Sequence, residues 1–330
     1  MKLASLKSDR RDGTLVVINH ELTHAVAVPE IAPTLQAALD NWAVAALRLE
    51  TIYRELNRGA QAAAFTLDLD ALAAPLPRAY QWLDGSAYLS HVERARRARG
   101  SDMLPEFQTD PLMYQGVSDN FLAARDPILA ESEDWGIDFE AEVAIITDEV
   151  PLGTNSQAAA SHIKLLMLVN DVSLRKLIAK ELPKGFGFIH GKPPSSCSPV
   201  ACTPEELTDA WDGAKVHLPL ISHVNGKLFG QPEAGRDMQF DFPTLISHAA
   251  KTRRLGTGTI VGSGTVSNAD ASRGFSCIVE KRMDEVVKQG SALTPFLRFG
   301  DRVRIEMLDK NGRSIFGAIE QSVEVYNRPE

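Results

Sequence analysis

The stretch Ile137-Asp138-Phe139-Glu140-Ala141-Glu142-Val143-Ala144-Ile145-Ile146 alternates as a strand does, with Glu140 and Glu142 two residues apart in an otherwise apolar run. Successive side chains of a strand point to opposite faces, so both carboxylates project from one face. Two adjacent anions beside a core are costly without a cation, and as hard oxygen donors they suit Mg²⁺ or Ca²⁺ rather than a thiolate-binding metal. An exposed acidic strand edge is the competing reading of this segment by itself. Further on, Leu165-Leu166-Met167-Leu168-Val169-Asn170-Asp171-Val172-Ser173-Leu174-Arg175 is a strongly apolar run that ends in Asn-Asp, with an arginine four residues after Asp171. A buried element of this kind can deliver Asp171 as a metal ligand. Read by itself, Asp171 serves equally well as a helix cap paired with Arg175.

Four motifs then stand in series: Glu140/Glu142, the run from Asn170 to Arg175, Gly191-Lys192, and Ser263-Gly264-Thr265-Val266-Ser267. Their order and approximate spacing resemble the fumarylacetoacetate hydrolase family, and the similarity extends from about Asp84 to the C-terminus. Two further segments resemble the fumarylacetoacetase-like branch, which has an N-terminal domain and a catalytic histidine. One is Asp84-Gly85-Ser86-Ala87-Tyr88-Leu89-Ser90-His91, with an aspartate seven residues before a histidine; the other is Tyr114-Gln115-Gly116, followed by Arg125-Asp126-Pro127-Ile128.

The resemblance implies a mainly β fold with some α. A small N-terminal β domain, residues 1–76 with one helix, would precede a β-roll catalytic domain, residues 77–330, and the chain would assemble as a homodimer. It implies that Asp84, Glu140, Glu142 and Asp171 ligate Mg²⁺ or Ca²⁺, with Mn²⁺ a further choice. It also implies hydrolysis of a carbon–carbon bond in a small anionic 1,3-dicarbonyl acid. There His91, oriented by Glu280, activates water, a task that suits the imidazole pKa. One residue must be inserted after Thr265 to align Glu280. Lys192 would stabilise the enolate leaving group and Arg175 would position the anionic end of the substrate. Ser86, Tyr114, Ser196 and Thr265 would offer hydroxyls to substrate oxygens. The chain departs from the branch at Ile178 and Leu182, where the pattern has glutamine and tyrosine, so a polar substrate wall has become apolar. Decarboxylation, keto–enol isomerisation or hydration on the same carboxylates is the alternative chemistry. A metal-stabilised binding protein is the non-enzymatic one, recognisable if His91 and Glu280 lie far from the carboxylates.

Outside these motifs, composition and periodicity describe a β-rich, mixed chain. Apolar segments around Asp12-Gly13 predict an opening hairpin. Apolar residues at Leu35, Ala38, Leu39, Trp42, Ala45, Leu47, Ile52 and Leu56 predict an amphipathic helix over 34–57. Residues 71–78, with Pro75 and Pro77, read as a linker. Helices are expected at 157–173 and 242–254, and strands at 139–147, 218–224, 258–262, 276–281 and 302–308.

The 330 residues are 44% hydrophobic and 24% charged, ordinary for a globular chain, with a net charge of −8. No cationic surface for nucleic acid is indicated. The run Arg94-Ala95-Arg96-Arg97-Ala98-Arg99 reads either as a solvated basic face or as an attractor of an anionic substrate. No stretch approaches the roughly 18 apolar residues of a membrane span, and Met1 to Ser8 lacks an apolar signal core, so a cytoplasmic location is expected. Cys197, Cys202 and Cys277 have no C-x-x-C spacing and read as reduced packing residues. His20-Glu21-Leu22-Thr23-His24 matches the zinc-peptidase pattern, but its flanks read as strand, turn and strand. On a strand the two imidazoles would stand roughly 13 Å apart, too far to share an ion. The glycine-rich run from Gly256 to Gly264 lacks the ending and the element order of a nucleotide loop.

Overall fold

In the computed structural model of the chain, which describes residues 1–97 and 105–326, the opening hairpin forms at Asp12-Gly13. It joins β1 (Lys2–Leu6) to β2 (Thr14–Ile18), and β3 (His24–Ala27) pairs on the far side of β2. The zinc-peptidase motif is therefore a turn followed by a strand, and Leu22 has a left-handed backbone. The expected helix over 34–57 is two: α1 (Leu35–Asp40), capped by the Thr34 hydroxyl, and α2 (Trp42–Asn57), separated at the non-helical Asn41. A short β4 (Phe65–Thr66) pairs with β3. The segment 71–78 is no free linker. The Ala73 N–H donates to the Ser5 carbonyl, the Ser5 hydroxyl donates to the Pro75 carbonyl, and Leu72, Ala74 and Leu76 are buried.

Next come β5 (Trp82–Gly85), α3 (Leu89–Arg97), β6 (Met113–Gln115), β7 (Ile128–Ala130), β8 (Ile137–Asp138) and β9 (Ala141–Thr147). The helix expected at 157–173 is only α4 (Ser156–Ala159) and a 3₁₀ turn, after which the chain is β10 (Ile163–Asn170), paired antiparallel with β9 in a long ladder. The physical reason is two-sided burial. Leu165, Met167 and Val169 pack toward the N-terminal helices, while Leu166 and Leu168 pack into the opposite core. A strand buried on both faces reads as a continuous apolar run, without the alternation that separates it from a helix.

The chain continues through β11 (Ser173–Leu174), α5 (Arg175–Glu181), β12 (Ser196–Cys197), β13 (Ala201–Cys202), β14 (Leu220–Val224) and β15 (Lys227–Gly230). Then follow α6 (Phe242–Ala249), capped by Asp241, and β16 (Ile260–Gly262). The strand expected at 276–281 is instead the first turn of a helix, α7 (Ile278–Gln289), which ends on the left-handed Gly290. Last come β17 (Arg302–Met307) and β18 (Ile319–Val325).

Among the described residues the principal sheet has eleven strands, in the order β4-β3-β2-β1-β13-β10-β9-β16-β5-β6, with β12 also on β10. It runs without interruption from the N-terminal hairpin into the body that carries the acidic motifs. A second sheet has the order β15-β14-β17-β18-β7, and β8 pairs with β11. Of the described helices, none is long and apolar enough to cross a membrane.

Candidate metal centre and proton-transfer couple

β5, β16 and β9 lie side by side, with Asp84 registered against Gly262 and Gly262 against Ala144. By alternation Glu142 shares the face of Ala144, so Gly262 is the one position between Asp84 and β9 that has no side chain. The gap is required: a Cβ there would come within 2.4 Å of Asp84 Oδ1 and of Trp82. The next turn holds Asp84 from the other side, since the Gly264 N–H donates to Asp84 Oδ1 at 3.1 Å. Gly264 has φ +76°, and a Cβ would meet the Gly85 carbonyl at 2.3 Å, so this close approach needs glycine. At the end of β10, Asp171 turns back onto Glu140, its N–H bonded to the Glu140 carbonyl.

These elements bring Asp84, Glu142 and Asp171 together, all buried, with one carboxylate oxygen of each within 4.8 Å of the others. Both oxygens of Glu142 are buried without a hydrogen-bond partner among the described residues. Burial, and then the charge of Asp171, pushes the Asp84 carboxyl up to about 8. Burial together with Asp84, Asp171 and Glu140 raises Glu142 well above the usual range. A buried carboxylate with no donors beside two more is an arrangement short of positive charge, and the all-oxygen donor set fits a hard divalent cation.

Glu140 has different neighbours. Its Oε1 accepts from Arg175 Nη2 at 2.6 Å and its Oε2 from Lys192 Nζ at 2.6 Å. Burial opposes its ionisation, yet Arg175, Lys192 and His91 outweigh that and hold its carboxyl below the ordinary range. Lys192 also donates to Asp171 Oδ2 and lies over the Tyr114 ring. Burial would lower the Lys192 ammonium, but Asp171 and Glu140 raise it instead, so it stays charged. Tyr114 donates to Asp171 Oδ2 at 2.7 Å.

One expected role changes in the structure, that of Ser196. Arg175 donates Nε to Asp138 at 2.8 Å and Nη2 to Glu140, so two of its five N–H groups hold carboxylates of the site. Ser196 faces away, its buried hydroxyl bonded to the Ala123 carbonyl, and its neighbour Ser195 reaches Asp171 Oδ1 at 2.8 Å. Adjacent residues of an extended segment point to opposite sides, which is why only one of the pair arrives. Ser86 is half-buried just beyond Asp84, and Thr265 is buried beside Gly264. Ile178 packs beneath Gly191, whose added Cβ would meet it at 2.5 Å, and Leu182 is exposed. Beyond Tyr114 opens a groove of about 540 Å³, walled in part by Phe186, Phe188 and Ile189.

His91, on α3, has a side chain 19% exposed, with Nδ1 3.9 Å from Oε2 of the fully buried Glu280 on α7. The other Glu280 oxygen accepts from Arg94 Nη1 and from the Ser267 hydroxyl, each at 2.5 Å. Burial would raise the Glu280 carboxyl, but His91, Arg94 and Ser267 together hold it low. Within the basic run, Arg94 is thus an internal counter-ion and Arg97 pairs with Glu93 on the surface. The side chain of Arg96, and Ala98 and Arg99, lie outside the described residues. Sequence reasoning passed over Asp138, whose oxygens accept from the Ile278 and Val279 N–H groups at the start of α7. Its spacing of two from Glu140 was the available signal.

Residues 81–324 match the family model described as Fumarylacetoacetate (FAA) hydrolase C-terminal. The chain belongs to the fumarylacetoacetate hydrolase family. Residues 1–78 match Fumarylacetoacetase N-terminal domain 2. Among curated family relatives, an oxaloacetate tautomerase, YisK, of Bacillus subtilis (strain 168) is 23% identical over 246 residues, 73% of this chain and 71% of the relative. A 2,4-didehydro-3-deoxy-L-rhamnonate hydrolase of Sphingomonas sp. (strain SKA58) is 26% identical over 48% of this chain and 53% of its own. The fold is that of a maleylpyruvate hydrolase from Sphingobium sp. SYK-6, solved with manganese (II) ion and pyruvate. The TM-score is 0.64 at 16% identity, covering 99% of this chain and 100% of that one.

Proposed function

We propose that the protein is a metal-dependent hydrolase of a 1,3-dicarbonyl acid, such as fumarylacetoacetate or another acylpyruvate. The observation that carries the reading is a histidine facing a buried glutamate in a chain that also gathers Asp84, Glu142 and Asp171 into one buried all-oxygen group. Asp84, Glu142 and Asp171 would hold Mg²⁺, Ca²⁺ or Mn²⁺, with Glu140, which pairs with Arg175 and Lys192, as the further carboxylate of the set. When bound, the ion supplies a Lewis acid that polarises a carbonyl.

With Nδ1 directed at Glu280, the other imidazole nitrogen of His91 takes a proton from water, and the hydroxide so formed adds to the carbonyl under attack. Collapse of the tetrahedral adduct breaks the carbon–carbon bond and leaves an enolate. Lys192 has three N–H donors, of which Glu140 and Asp171 accept two, so one remains for the enolate oxygen. Tyr114 borders the same space, and the Phe186–Phe188–Ile189 wall meets the acyl end of the substrate. In this reading the enzyme acts on a small anionic keto acid, in the cytoplasm and as a homodimer.

The second reading is keto–enol tautomerisation, favoured by the Bacillus subtilis relative, in which His91 would move a proton at carbon and no water would be consumed. Loss of the diketone ultraviolet absorbance, followed with Mg²⁺ or Mn²⁺ and with EDTA, separates the two. Metal-dependent cleavage of acylpyruvates that disappears in His91→Ala supports the hydrolase. Ketonisation of enol-oxaloacetate without any cleavage supports the tautomerase.

A further inference from the structure

Cys277 is the residue at this site to which the hydrolase reading assigns nothing. It is fully buried, stands immediately before α7, and precedes Glu280 by three residues, so both side chains lie on one side of the helix's first turn. The Cys277 sulfur, a nitrogen of His91 and an oxygen of Glu280 lie within 4.8 Å of one another. The second observation is that His91 Nδ1 and Glu280 Oε2, both buried, face each other at 3.9 Å, and among the described residues neither makes a hydrogen bond. Arg94 and Ser267 hold the other Glu280 oxygen, which leaves Oε2 turned toward His91.

We propose that His91, Cys277 and Glu280 form a second cation site, selective for a soft divalent ion such as Zn²⁺, whose occupation withdraws His91 from proton transfer. The donors are nitrogen, sulfur and oxygen, a set that suits zinc, whereas the three carboxylates nearby present oxygen alone and suit a hard ion. Zinc bonds of roughly 2.0–2.3 Å bring donors to about 3.5 Å from each other, so the side chains need to converge by about 1 Å. Burial, with Asp138 and Glu280 adding to it, keeps the thiol protonated without a metal. Binding therefore forms a sulfur–zinc bond, breaks the S–H bond and releases one proton to solvent. His91 is the partly exposed member, which gives the ion its entry and makes occupation reversible.

Co²⁺ is the probe, added to the whole protein in the presence of excess Mg²⁺ to fill the all-oxygen group. One equivalent is expected to produce a near-ultraviolet thiolate-to-cobalt charge-transfer band that Zn²⁺ abolishes. Cys277→Ser is expected to lose the band, and serine is well tolerated in front of a helix. His91→Ala keeps the thiol and is expected to weaken Co²⁺ binding about tenfold or more; being partly exposed, it serves even if the cysteine variant misfolds. No band in the wild type, a band that survives Cys277→Ser, or unchanged affinity in His91→Ala overturns the site. The inhibitory consequence rests on the hydrolase reading: Zn²⁺ should lower wild-type turnover in excess Mg²⁺ and leave Cys277→Ser unaffected. Zinc bound through Cys277 without loss of turnover overturns the inhibition and the assignment of His91 as base, while the site itself stands.

Discussion

At Asp84, burial and the charge of Asp171 act in the same direction, lifting the carboxyl from 3.8 to about 8. An acid raised in the folded state holds its proton more tightly there than when unfolded. Its stabilising effect is complete below 3.8 and is lost as the pH rises through about 8. In EDTA, the melting temperature of the wild type relative to Asp84→Asn should therefore fall between those limits. A saturating divalent ion should remove that fall, so the rise in melting temperature on adding Mg²⁺ grows with pH across the same window. A wild-type-minus-variant difference that stays flat or climbs with pH in EDTA would refute the account. At this scale much was legible in the sequence, because Glu140 and Glu142 announce themselves by parity in an apolar strand. Their division of labour was not: Glu140 meets Arg175 and Lys192, 35 and 52 residues away, while Glu142 meets no cation among the described residues.

The element that joins the two halves of the site is α7. Its first turn carries Glu280, and Asp138 fixes that turn by accepting two of its N–H groups while pairing with Arg175. Asp138→Ala removes the helix cap and strips one partner from a largely buried arginine, a loss of about 3–5 kcal/mol by the usual cost of breaking a buried pair. Urea unfolding measures the stability. Turnover should fall with it, since Glu280 loses its aim, whereas Mg²⁺ affinity should change much less; a variant within about 1 kcal/mol of wild type would show that the cap is dispensable. The sequence misleads at both elements for identifiable reasons. α7 begins with the β-branched Ile278-Val279, and only Asp138, far away in the chain, supplies the cap that makes the turn helical. β10 is covered on both faces and so lost the alternation by which strands are recognised.

Across the whole molecule, the principal sheet passes from β1 through β13 to β10 without a break, and the N-terminal helices cover the face of β9 and β10 that carries Ile146, Leu165, Met167 and Val169. Residues 79–330 produced alone should therefore expose that face and aggregate, and adding residues 1–78 as a separate chain should recover soluble material. A soluble, cooperatively unfolding 79–330 fragment, seen by size-exclusion chromatography and thermal melting, would contradict this. The sequence by itself determined the chemical inventory and its order: acidic strand, Asn-Asp end, lysine after glycine, glycine-rich turn, and an aspartate leading a histidine. Those features survive as local pattern because alternation and turn chemistry act over a few residues. Only the tertiary structure decided which carboxylates are left without a cation, that Arg175 is an internal tether, that Ser195 and not Ser196 reaches Asp171, and that Cys277 stands beside His91 and Glu280. Each of these is set by contacts between distant segments, where burial makes an unpaired charge or donor costly enough to select one partner over another.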